Sequence, residues 1–176
     1  PELRAKGADV VVALLHGADK SVLERLDYAA ATEPVQALQQ GRWRAKRYGE
    51  LSGSGFVIDC LEAALWCFWH TNNYADCVLA AARLAKKHAR PFVLNPAPAQ
   101  ALPAELRSLV SVLTPNAYEL ALSLGLPADT PVETLIRQSG CQVVMTLGSD
   151  GALYNDDTGI LHRQSTCQVN PGDPTG

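Results

Sequence analysis

The sequence predicts an α/β fold, a mostly parallel sheet from about Tyr74 onward with a helical segment before it. Three stretches carry that expectation: Phe92-Val93-Leu94-Asn95-Pro96-Ala97-Pro98-Ala99, then Leu109–Leu113 running into Thr114-Pro115-Asn116-Ala117-Tyr118-Glu119, then Val143-Val144-Met145-Thr146-Leu147-Gly148-Ser149-Asp150-Gly151-Ala152. Each reads as a short buried strand that ends abruptly in small or polar residues, with a helical stretch before the next. That alternation implies parallel strands joined by right-handed crossovers. In such sheets ligands bind at the carboxyl ends of the strands.

Composition sets the outer bounds. The 176 residues suit one domain of ordinary size, with or without a small appendage, and divide by pattern into residues 1–73 and 74–176. With 47% apolar and 19% charged residues, the chain has enough apolar surface for a packed core. A formal charge of −3 offers no electrostatic footprint for nucleic acid. The densest basic patch, Gly41–Arg47, reads as a solvated face. The cysteines (Cys60, Cys67, Cys77, Cys141 and Cys167) are odd in number and lack CxxC spacing, so reduced, buried thiols are expected. The longest apolar run, Ala63–Trp69, is too short to cross a bilayer, and no signal peptide opens the sequence. A cytoplasmic protein without a membrane partner is the expectation.

In chain order, Asp9–Leu15 reads as a strand ending at His16, either a plain strand-end residue or a metal or acid/base group. Ser21–Ala31 reads as a helix with Ser21 as N-cap and Glu24 closing a capping box; Glu33–Gln40 continues it after a break at Pro34. Gly49–Gly55 is a glycine-rich turn without a Walker lysine, so a flexible entry to the next helix competes with a phosphate cradle. Phe56–Trp69 is an apolar helix whose Val57, Leu61, Ala64, Leu65 and Phe68 share a face. Ala75–Ala89 is another, with Lys86, Lys87 and His88 complementing its dipole. Then follow a strand at Pro91–Leu94, a helical turn at Leu102–Leu109, and a strand at Leu109–Leu113. A helix at Tyr118–Leu124 is stopped by Gly125, and another spans Pro131–Ser139. A strand at Val143–Leu147 precedes a candidate hairpin of Ala152–Asn155 and Gly159–His162.

Chemistry-bearing residues collect at the strand ends. Asn116 and Glu119 stand three apart where a strand gives way to a helix, a spacing that makes an ordinary capping box or places an amide and a carboxylate beside Mg²⁺ and phosphate. Thr146, Gly148 and Gly151 would let backbone amides and a hydroxyl approach a nucleotide, although any strand-to-turn connection uses similar residues. Asp173 and Thr175, amid Gly and Pro, suit either a cation loop or a terminal tail.

Taken in order, Asn95–Ala99, Thr114–Leu120, Val144–Ala152 and Asp173–Gly176 resemble the ribokinase-like (PfkB-type) carbohydrate kinases, over roughly Tyr74–Gly176. The resemblance implies ATP-dependent phosphorylation of a sugar or related hydroxyl, with ATP and Mg²⁺ as cofactors, and is compatible with a homodimer. Asn116 and Glu119 match the family's Asn-x-x-Glu motif, implicated in arranging Mg²⁺ and phosphate. Thr146, Gly148 and Gly151 match the loop beside ATP. Asp173 and Thr175 match a loop that binds a monovalent cation in many members. The family's anion hole and general base follow that loop, which places them after Gly176, so the kinase machinery is expected to be incomplete here.

A second, local resemblance rests on Gly53–Phe68, with Glu33–Arg44 compatible. It is similar to a late segment of the all-helical ADP-ribosylglycohydrolases, ahead of an acidic metal motif that does not follow in this sequence. Asp59 and Glu62 are then expected in surface or local hydrogen-bonding roles. A hydrolase or its remnant, and a non-catalytic composite or designed α/β domain, stay open beside the kinase.

Overall fold

A computed structural model describes residues 19–25 and 32–166, and the chain divides into two compact units, residues 1–88 and 89–176. The expected strand at Asp9–Leu15, His16, Asp173, Thr175 and Cys167 lie outside the described residues.

The first unit is helical. Lys20–Arg25 forms a 3-10 turn rather than the start of an α-helix, and Asp19, not Ser21, supplies the terminal acceptor: its Oδ1 takes the Ser21 N–H at 2.7 Å. Helix α1 (Glu33–Gln39) carries Pro34 in its first turn, where a missing N–H costs nothing; residues 26–31 of the helix expected before it lie outside the described residues. Helix α2 (Val57–His70) and helix α3 (Tyr74–Lys87) follow, and Asn73 caps α3 by accepting the Asp76 N–H at 2.8 Å.

Tryptophans organise this unit. Trp43 is 1% exposed and packs with Leu23 and Leu38, against Leu65, Trp66, Phe68 and Trp69. Its indole donates to the Leu38 carbonyl at 3.1 Å, and that of Trp66 donates to the Lys46 carbonyl at 2.8 Å, so neither buried N–H is left unpaired. The Arg44 guanidinium lies over both the Trp43 and Trp69 rings. Trp66 also borders a second cluster of Leu51, Cys67 and Leu84. Lys20 places its ammonium against the Phe68, Trp69 and Thr71 carbonyls, which compensates the unpaired acceptors at the end of α2.

The face expected to bury α2 is borne out only in part, with Leu65 and Phe68 packed against the Trp43 cluster. Val57 is 69% and Leu61 46% exposed, while Cys67 is the helix residue at the core. The i, i+4 pattern identifies a stripe, but packing against α3 and the Trp43 cluster draws the neighbouring side of the helix inward. Cys60 is likewise exposed, not buried; Cys67, Cys77 and Cys141 are buried or half-buried free thiols. Burial pushes the Cys67 thiol up to about 11.

The second unit holds a five-stranded sheet in the order β1 (Val93–Leu94), β2 (Val112–Leu113), β3 (Gln142–Thr146), β4 (Ala152–Asn155), β5 (Leu161–Gln164). The pairs β1–β2 and β2–β3 are parallel, and β3–β4 and β4–β5 are antiparallel, the last being the expected hairpin. The short turn α4 (Ala104–Arg107) and helix α5 (Ala117–Leu124) flank β2, and α6 (Val132–Ser139) precedes β3. Leu113, Leu120, Ala121, Leu135, Ile136, Val143 and Met145 are all at most 3% exposed and constitute the core. Strand β3 is not buried on both faces as its apolar run suggests. It alternates, with Val143 and Met145 at 0% exposure and Val144 at 39%. The antiparallel partner β4 gives it the one-sided burial typical of hairpins.

Candidate functional site

The parallel register aligns the three motif-bearing strand ends. Leu94 pairs with Leu113 and Leu113 with Val143. Pairing continues past the strands: the Thr114 N–H donates to the Leu94 carbonyl at 3.0 Å, and the Thr146 N–H to the Pro115 carbonyl at 2.9 Å. Asn95, the Thr114–Glu119 turn and the Thr146–Gly151 turn therefore stand side by side on the carboxyl edge of β1, β2 and β3.

At the centre, Asn116 and Glu119 form a complete capping box. The Asn116 Oδ1 accepts the Glu119 N–H and the Glu119 Oε2 accepts the Asn116 N–H, both at 2.8 Å. The helix-cap reading of this pair is thus realised. It leaves the Asn116 amide group and the second Glu119 oxygen free of that exchange. It also leaves the Ala117 and Tyr118 N–H groups of the first turn of α5 with no backbone acceptor among the described residues. Open N–H groups at a helix start carry positive potential.

The β3 turn repeats this arrangement. The Leu147 N–H bonds to the Gly151 carbonyl at 2.8 Å, and the Asp150 and Gly151 N–H groups bond back to Leu147 and Gly148. The Gly148 and Ser149 N–H groups have no backbone acceptor among the described residues. The two glycines differ in what requires them. Gly151 sits at φ +97, and a Cβ there would lie 1.9 Å from the Gln164 carbonyl oxygen, so the approach of β5 demands glycine. Gly148 sits at φ +60 with nothing within 4 Å of where a Cβ would stand, so its surroundings are open. Thr146 is exposed beside it.

Glu119 contributes a carboxylate to this edge, one oxygen of which is engaged in the capping box. Among the described residues no three His, Cys, Asp or Glu side chains form a metal-holding group. Mg²⁺ fits such a setting because it keeps several waters and takes one or two carboxylates plus substrate phosphates. Asp173 and Thr175 are not among the residues brought together here, being outside those described.

Two other regions are distinct from this edge. A cleft of about 490 Å³ lies at the opposite end of β3, lined by Arg137, Gly140, Gln142, Asn155, Asp157 and Leu161 among others. The acids of α2 are engaged locally. Asp59 accepts from the Ser54 and Ser52 hydroxyls, which hold its carboxyl below the usual range, and Glu62 pairs with Lys46 at 2.6 Å. Gly53 lies against the His88 ring, so the close contact at the glycine-rich turn is with a side chain of the same unit.

The parallel strands β1–β3, with helices between them and an antiparallel hairpin beyond, define an α/β protein. Residues 66–176 match the pfkB family carbohydrate kinase model, and the chain belongs to that family. It is 33% identical over 110 residues to ribokinase of Schizosaccharomyces pombe, covering 57% of this chain and 34% of that protein. It is also 37% identical over 71 residues to the ADP-ribosylarginine hydrolase Tri1 of Pseudomonas putida (strain GB-1), covering 40% of this chain and 19% of that protein. Among solved structures, that of Sa239 matches with TM-score 0.50 and 27% identity, over 66% of this chain and 42% of that one. The chain spans 14–34% of the length of these and similar curated relatives.

Sequence reasoning nominated Asn116, Glu119, Thr146, Gly148 and Gly151 as candidates, and all five lie along the carboxyl edge of β2 and β3. It anticipated backbone amides at the Thr146–Gly151 turn but not those of Ala117 and Tyr118 at the start of α5, which no side chain announces. The capping-box spacing of Asn116 and Glu119 was the signal that could have located them, because the first N–H groups of any helix lack intrahelical partners.

Proposed function

We propose that the carboxyl edge of β1–β3 binds the phosphates of Mg-ATP, and that the protein serves ATP-dependent phosphorylation of a hydroxyl on a sugar or related small molecule. The observation that carries this reading is the side-by-side placement of the Asn116/Glu119 turn and the Gly148–Gly151 turn, each presenting open N–H groups. Membership of the pfkB family supports the reaction class.

Phosphoryl transfer depends chiefly on positioning and on neutralising charge, so amide donors and a well-placed cation suffice for most of the protein's part. The Ala117 and Tyr118 amides take phosphate oxygens at the positive end of α5. The Gly148 and Ser149 amides take neighbouring oxygens from the β3 side, and the exposed Thr146 hydroxyl adds a donor. Glu119 keeps one carboxylate oxygen for a magnesium-bound water while the other closes the capping box. Magnesium held there by Glu119 would offset the negative charge of the phosphates. Asp173 and Thr175 enter the proposal as the loop for a monovalent cation.

The test is nucleotide-dependent stability of the chain. Ligand at ten times its Kd adds about 1.4 kcal/mol, so millimolar Mg-ATP should raise the melting temperature of the second unit by several degrees. Glu119→Gln preserves the capping geometry and should lose most of that rise. No rise with Mg-ATP, or an equal rise in the variant, contradicts the proposal.

A further inference from the structure

We propose that Asn95 is a ligand-contacting residue of this site, donating its side-chain amide to the phosphoryl group that is transferred. The inference rests on the reading just given, and deepens it by adding a third strand end to the two already used.

Position is the first argument. Asn95 directly follows β1, and the Thr114 N–H bonds to the Leu94 carbonyl at 3.0 Å, so Asn95 stands level with the start of the Thr114–Glu119 turn. Neighbouring strands lie about 5 Å apart, which puts Asn95 one strand spacing from that turn, on the side away from β3. The three strand ends thus run Asn95, then Asn116/Glu119, then Gly148/Ser149. A nucleotide entering over the β3 turn meets the central turn next and ends with its terminal phosphate toward Asn95.

Availability is the second. Asn95 is exposed, and its amide makes no hydrogen bond among the described residues, whereas Asn116 and Glu119 spend one oxygen each on the capping box. The following Pro96 is buried and has no N–H to bond, so it anchors the backbone without competing for the Asn95 side chain. The chemistry is also suitable. A neutral amide donates to a phosphate oxygen without adding charge, and it leaves an oxygen to accept from an incoming hydroxyl.

The experiment is calorimetric titration of the full chain with Mg-ATP and, separately, Mg-ADP, using the unmodified protein, Asn95→Ala and Asn95→Asp. One hydrogen bond to a charged group corresponds to about a tenfold change in Kd. The expected result is about tenfold weaker Mg-ATP binding in Asn95→Ala, a larger loss in Asn95→Asp, and less than a twofold change for Mg-ADP in Asn95→Ala. Unchanged Mg-ATP affinity in Asn95→Ala overturns the assignment. So does an equal loss for both nucleotides, which signals a general or structural effect. If the unmodified chain binds neither nucleotide, the functional proposal itself fails and takes this inference with it; binding by the unmodified chain with an indifferent Asn95 sinks this inference alone.

Discussion

Gly151→Ala is the sharpest perturbation available at the β3 turn. Two costs combine. A Cβ forces an L-residue into φ +97 and ψ −133, a conformation outside the left-handed helical well that costs about 1–3 kcal/mol. The same Cβ would stand 1.9 Å from the Gln164 carbonyl oxygen and 2.9 Å from the Ser165 Cα. Real Cβ atoms essentially never approach within 3.0 Å, so β5 must retreat by about 1 Å, an overpacking strain of about 1–3 kcal/mol. The expected total is about 2–6 kcal/mol, a large part of a typical domain's stability. Gly148→Ala is the internal control: its φ of +60 carries only the conformational cost, because its Cβ meets nothing within 4 Å. Hydrogen exchange read on peptides covering residues 142–164 is the appropriate assay, since it reports on this hairpin directly, whereas Trp43, Trp66 and Trp69 all lie in the first unit. Protection should fall about tenfold or more further in Gly151→Ala than in Gly148→Ala. Equal losses would refute the view that β5 dictates glycine at 151.

Three other outcomes follow. Leu120→Ala, at a fully buried core position, should cost about 2–5 kcal/mol in chemical denaturation, while Val144→Thr on the exposed alternate face of β3 should cost under about 0.5 kcal/mol. Asn116→Ala removes the Oδ1 acceptor for the Glu119 N–H and should lower stability by about 1 kcal/mol without nucleotide, measured by urea titration. Hydrogen bonds from the Thr158 hydroxyl, His162 and then the Ile160 and Thr158 backbone hold the Asp156 carboxyl below the usual range. A depressed folded value means its contribution is complete above the unfolded value of about 4 and is lost as pH falls below it. The hairpin-protection difference between the unmodified chain and Asp156→Asn should therefore be present at pH 6 and shrink toward pH 3.

Much of the second unit was legible because its signals are local and consistent. The run Val143–Leu147 marked β3 to within one residue, Gly125 ended α5, and the Asp156–Gly159 turn separated β4 from β5. Strand lengths were less legible. Expected strands at Pro91–Leu94 and Leu109–Leu113 reduce to two residues each, although their hydrogen bonding extends from the Phe92 carbonyl to Thr114. In α2 the apolar pattern specified a stripe without its partner, so the exposure of Val57 and Leu61 depended on how α3 and the tryptophans pack. Cap choice at Asp19 over Ser21 was a competition between adjacent acceptors that residue type alone does not decide. At the site, side chains were readable, but the open amides of Ala117 and Tyr118 follow from backbone geometry and from which carbonyls are already engaged.

The measurement that bears most directly on the site is an amide-resolved NMR titration of the chain with Mg-ATP. Binding at the carboxyl edge predicts that the Ala117, Tyr118, Gly148 and Ser149 amides shift first and most, with Asn95 and Glu119 among their neighbours. Shifts gathered instead around Arg137, Gln142 and Asp157 at the opposite end of β3, or no shifts at millimolar nucleotide, would contradict it.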